Sequence, residues 1–142
     1  MEAVKPDNLN IALQIGQCLA RMEAYTEALA YFYKVEYLEK NPDNARRAIA
    51  WCSFVSGKYE EALKYYHLLL EGASPKAHDW MNAGHVYFVM HQVPQAIQHY
   101  QQAQSSEKSH SDFIEKFNKD RNVLLALGLT EEDLQIILDL LL

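Results

Sequence analysis

Gly57-Lys58-Tyr59-Glu60-Glu61-Ala62-Leu63 is the stretch on which the fold turns. Glu60 and Glu61 fall in the first turn of a helix, where acidic side chains meet the positive end of the helix dipole. Ala62 is followed four residues later, one helical turn on, by the aromatic Tyr66. The same small-then-aromatic pair recurs thirty-four residues to either side, as Ala28 with Phe32 and Ala96 with Tyr100. A helical unit of this length is too short to bury a core alone and has to stack on its neighbours, so the chain is expected to be an all-α solenoid of repeated helix pairs.

Working outward, the first unit carries Ala12, Ile15, Gly16 and Leu19, then Tyr25, Ala28 and Phe32; the third carries Trp80, Ala83, Gly84 and Tyr87, then Val93, Ala96 and Tyr100. Both fit W-x-x-L-G-x-x-Y followed by A-x-x-x-F, while the second unit is looser in its first half, with Arg46, Ile49, Ala50 and Ser53. Gly16, Gly84 and the three alanines suit helix crossings, where a minimal side chain lets backbones approach and large neighbours interlock. Pro6, Pro42 and Pro75 punctuate the units because proline cannot continue a helix interior. Pro94 starts the second helix of its unit, where a missing N–H costs nothing. With these residues the chain resembles the tetratricopeptide repeat family over residues 9–110. The resemblance implies a right-handed superhelix of antiparallel helix hairpins, with units at 9–42, 43–76 and 77–110. Helices are then expected at 9–22 and 25–40, 43–56 and 59–71, 77–90 and 93–107.

The two ends read differently. Pro6-Asp7-Asn8 matches Pro42-Asp43-Asn44, so residues 1–8 are expected to be the tail of a preceding repeat, with the chain a C-terminal piece of a longer repeat protein; the alternative is an ordinary start with a short leader. After His110 the period breaks, and residues 111–142 are expected to form capping helices. One of them, 111–127, is closed by Gly128; another, 130–141, opens on Thr130-Glu131-Glu132-Asp133, close to a capping box. The last helix is apolar nearly all round and has to be covered, by the stack it caps, by the groove of its own chain or by a second copy in a homodimer.

Composition sets the class. The 142 residues are 49% apolar with five glycines and four prolines, which suits one folded helical domain. No apolar run approaches the length of a membrane span, and no apolar segment of signal-peptide type follows Met1. A net charge of −6 without clustered Lys and Arg disfavours a nucleic-acid surface. Cys18 and Cys52 are thirty-four residues apart, so both are expected to be packing residues, and reduced thiols suit a cytoplasmic setting. His78 and His85 share a helix face, but nothing at ligand spacing completes a metal set. No phosphate loop, nucleophile elbow or H-E-x-x-H is present, so neither an enzyme nor a cofactor or metal site is expected.

What the resemblance implies for function is a groove lined by the first helix of each pair. Its wall is then Leu13, Gln17 and Arg21 from the first unit, Arg47, Trp51 and Phe54 from the second, and His78, Met81, His85 and Phe88 from the third. Members that grip a partner's C-terminal carboxylates do so with Lys, Arg and Asn at places that here hold Leu13, Gln17, Ala48, His78 and Asn82, so that clamp is not expected. The chain is expected to be a non-catalytic protein–protein interaction module that takes a peptide or helical segment of a partner. The alternative is a regulatory or scaffolding segment of a larger protein or enzyme, its groove filled by its own C-terminal helix.

Overall fold

Recurrent turns divide the chain into helix pairs. The structure, a computed structural model, describes residues 6–142, and among these the regular elements are nine helices and no strands. They are α1 (Pro6–Arg21), α2 (Tyr25–Leu38), α3 (Asp43–Val55), α4 (Tyr59–Leu70), α5 (Ala77–Val89), α6 (Val93–Ser106), α7 (His110–Lys119), α8 (Arg121–Ala126) and α9 (Glu131–Leu141). Six of them follow the expected hairpins closely. Pro6, Asp7 and Asn8 belong to the start of α1, and the remainder of the expected repeat tail lies outside the described residues.

The thirty-four-residue period is written in the backbone as well as in the side chains. Glu23, Gly57 and His91 occupy equivalent places and all have positive φ, of 61°, 84° and 63°. At each turn the next amide reaches back to a carbonyl five residues earlier: Ala24 N to Leu19 O at 2.9 Å, Lys58 N to Ser53 O at 2.8 Å and Gln92 N to Tyr87 O at 2.9 Å. This is the left-handed helix closure that satisfies orphan carbonyls and reverses the chain within three residues. The same closure appears once more at Gly128, φ 111°, with Leu129 N to Leu124 O at 3.2 Å. Thus α8 and α9 are joined by the turn that joins the earlier pairs, thirty-seven residues after His91.

The chain divides into two compact units, with the boundary between Tyr65 and Tyr66. In the first, α1 packs on α2 and α2 on α3. A Cβ added at Gly16 would lie 2.5 Å from the Phe32 ring, so the glycine is what brings α1 and α2 together. Ala12, Val35 and Ala45 join the three helices in one apolar cluster, with Leu13 packed on its edge. Glu36 ties the unit together, accepting from Tyr65 Oη at 2.9 Å and from Arg46 Nε at 3.2 Å.

Among the described residues, one face of α1 is left uncovered. Ile11 is 54% exposed and Met22 75%, with Ile15 and Cys18 between them. In the same register α3 carries Ala45, Ile49 and Cys52, all buried, with Ala45 against Val35 of α2. The expectation that both cysteines are packing residues therefore holds for Cys52 and fails for Cys18, because α2 covers the α3 face and no described helix covers its counterpart on α1.

In the second unit α5 packs on α6, with Gly84 placed so that a Cβ would lie 2.8 Å from the Tyr100 ring. Phe113 and Phe117 of α7 meet Tyr100 edge-on, with ring centroids 6.2 and 5.6 Å away. The single helix expected over 111–127 is broken at Asp120, which ends α7 and begins α8. Thr130 and Asp133 form the capping box of α9, each side chain accepting from the other's backbone N–H at 3.1 and 2.9 Å. These bonds to Thr130 hold the Asp133 carboxyl below its usual range. Leu134, Ile137, Leu138 and Leu141 are buried, and α9 lies along α6, where Gln104 Nε2 donates to the Leu141 carbonyl at 3.1 Å.

Candidate functional site

On α1, Gln17, Ala20 and Arg21 lie four, seven and eight residues beyond Leu13, so the four share one face. On α3, Asn44, Arg47, Ala48 and Trp51 do the same. The two faces enclose a depression of about 440 Å³ whose lining also includes Phe32 and Cys52. Trp51 is half-buried, its ring 5.5 Å from that of Phe54, and Phe54 is in turn backed by Tyr59 at 6.1 Å. That stack fixes the indole orientation. Burial pushes the Cys52 thiol up to about 11, which makes it an inert packing group at neutral pH.

A second depression of about 300 Å³ adjoins the first, sharing Leu13 and Asn44, and is lined in addition by Leu9, Asn10, Val35, Glu39, Asn41 and Ala45. Together the two form a trough along α1. One lobe is apolar and cationic, with Arg21 and Arg47 its charged residues. The other is rich in amides and holds Glu39.

Five of the expected groove residues, Leu13, Gln17, Arg21, Arg47 and Trp51, thus line one cavity. Phe54 sits behind it, fully buried. Of the residues expected from the third unit, His78 is exposed, whereas Met81, His85 and Phe88 are core residues of the second unit. His85 departs furthest from the open wall position the resemblance implied. It is sealed by Phe117, 5.4 Å between ring centroids, and by Tyr100. Its Nε2 lies 3.0 Å from Asp120 Oδ2 and its Nδ1 2.6 Å from Tyr100 Oη. Burial, reinforced by the Asp120 charge, drives the Tyr100 hydroxyl well above its ordinary pKa, so Tyr100 keeps its proton beside Nδ1. Nε2–H then donates to the Asp120 carboxylate, and the relay pins the α7–α8 break to α5. Asp120 lies thirty-five residues beyond His85, outside any spacing rule.

A second polar–aromatic cluster has no counterpart in the sequence reading. His67, Trp80, Tyr87 and His99 gather in the second unit, with Tyr87 Oη 3.0 Å from His67 Nε2 and the His99 ring 4.8 Å from Tyr87 and 5.7 Å from Trp80. His99 Nδ1 donates to the Gln95 carbonyl at 2.8 Å. Burial lowers the His99 pKa, against the pull of that bond. Among the described residues no group of three or more His, Cys, Asp and Glu side chains could hold a metal ion, and no helix is long and apolar enough to cross a membrane.

No protein-family model matches the chain, and no curated protein matches it.

Proposed function

We propose that this chain is a protein-interaction module of the tetratricopeptide type, and that it holds a peptide or helical segment of a partner protein in the trough between α1 and α3. The observation that carries this is the cavity of about 440 Å³ in which Trp51 and two arginines surround an apolar floor. Half-buried tryptophan and arginine are the side chains that most often anchor an interface, and a cavity of this size takes one or two partner side chains. The recurrence of one turn geometry at Glu23, Gly57 and His91 supports the family assignment. In α9 the apolar face is committed to α6, which favours a trough kept for a partner over one filled by the chain's own last helix.

The test is a display selection of twelve-residue peptides on the intact chain, followed by titration of the selected peptides using Trp51 fluorescence in a Trp80→Phe background. Trp51→Ala is expected to weaken binding by about 2 kcal/mol or more. Selected peptides that bind the Trp51→Ala variant as tightly as the parent would place recognition elsewhere.

A further inference from the structure

Rings from three helices meet in the second unit, and two of them are imidazoles without an acid beside them. His67 comes from α4, Trp80 and Tyr87 from α5 and His99 from α6. The two imidazole rings lie 6.3 Å apart, 25° from parallel. Tyr87 touches both, its ring 4.8 Å from that of His99 and its Oη 3.0 Å from His67 Nε2. We propose that this cluster is an acid-sensitive latch: neutral His99 lets residues 66–70 of α4 pack on α5 and α6, and proton uptake at His99 loosens them.

The hydrogen bond of His99 decides where a proton adds. A carbonyl oxygen only accepts, so the 2.8 Å contact with Gln95 O makes Nδ1 the N–H and leaves Nε2 as the basic atom. The groups that face the ring are His67 from α4, Trp80 and Tyr87 from α5, and the Gln95 carbonyl of its own helix. Among the described residues neither His67 nor His99 is hydrogen-bonded or paired to a carboxylate, whereas His85 in the same unit has Asp120 at 3.0 Å. Burial raises the pKa of the Tyr87 hydroxyl, so that group supplies no negative charge either. A proton on His99 therefore places a cation in half-buried, uncompensated surroundings. Burial opposes that cation most, the Gln95 bond offsets part of the effect, and the charge of His67 opposes it again. A depression of about 320 Å³ lined by Trp80, His99 and three glutamines gives protons a way in without prior unfolding. Tyr66 and Leu69 anchor the same stretch of α4 by apolar burial, so the response is a local opening and not the unfolding of the unit.

The test is made on the intact chain. NMR of the His99 Cε1–H between about pH 8 and pH 5 reads the charge of that ring, and hydrogen exchange reads the opening of residues 66–70. The His99 midpoint is expected below the ordinary 6.5. After correction for the intrinsic pH dependence of exchange, residues 66–70 should open at least about threefold more often at pH 5.5 than at pH 7.5. In His99→Gln, shown folded by circular dichroism, that increase should vanish. A His99 midpoint at or above 6.5 would overturn the latch. So would opening of residues 66–70 that does not change with pH in the parent, a measurement that needs no variant to fold. An increase that persists undiminished in folded His99→Gln would overturn it as well.

Discussion

At Gly84 there is no room for a methyl group, since Tyr100 ring atoms would lie 2.8 and 2.9 Å from it. Gly84→Leu is therefore expected to destabilise the protein by roughly 1–3 kcal/mol through overpacking, measured as a lowered midpoint in urea; an unchanged midpoint would mean the α5–α6 crossing is not as described. This much was legible, because glycine followed sixteen residues later by an aromatic is a pattern the first and third units share. The two thiols show where such patterns stop. Cys18 and Cys52 hold one register position, but burial depends on what lies across from it, and only Cys52 faces a described helix. A thiol reagent at neutral pH is expected to modify Cys18 in the folded protein at once and Cys52 only on unfolding, read as one and then two adducts by mass spectrometry. From the sequence His99 could be placed only on the second helix of its unit. Its pKa is lowered from 6.5, so folding favours its neutral form. The stability this contributes is fully present above the unfolded value and is lost as pH falls through it toward the lowered folded value. His99→Gln should accordingly flatten the decline in melting temperature between about pH 7.5 and pH 5.

Helices α1 to α6 could be read from the sequence because apolar spacing and proline, and in α2 to α5 an acidic first turn, mark their boundaries. The turns between them are less open to reading. Gly57 signals its left-handed backbone, but Glu23 and His91 adopt the same conformation at a cost of about 1–2 kcal/mol each and resemble ordinary surface residues in sequence. Glu23→Gly is expected to raise stability by up to about 1 kcal/mol, the relieved strain exceeding glycine's greater unfolded freedom, whereas Gly57→Ala should lower it by about 1 kcal/mol. A destabilising Glu23→Gly, measured by chemical denaturation, would contradict the turn geometry. The break between α7 and α8 eluded the sequence for another reason. Residues 111–127 have helical periodicity throughout, and what interrupts them is the reach of Asp120 to a histidine buried in another helix.

At the scale of the whole molecule the all-α class and its helix pairs followed from one period, while the candidate site was legible only in part. Leu13, Gln17, Arg21, Arg47 and Trp51 line one cavity, whereas Met81, His85 and Phe88 are buried in the second unit. Deleting residues 130–142 tests the role of the last helix. Several buried Leu and Ile side chains contribute on the order of 1.5–3 kcal/mol each before entropy, so the truncated chain is expected to melt lower and to bind an apolar dye. A truncated chain that is equally stable and binds no dye would show that α9 covers nothing. The uncovered face of α1 has a bearing beyond the chain itself. A molecule that lays an apolar surface on Ile11, Ile15 and Met22 binds the folded state and not the unfolded one, and at a hundredfold over its dissociation constant it adds about 2.7 kcal/mol. The melting temperature of the first unit is in that sense a titration curve, read out by whatever shares its solution.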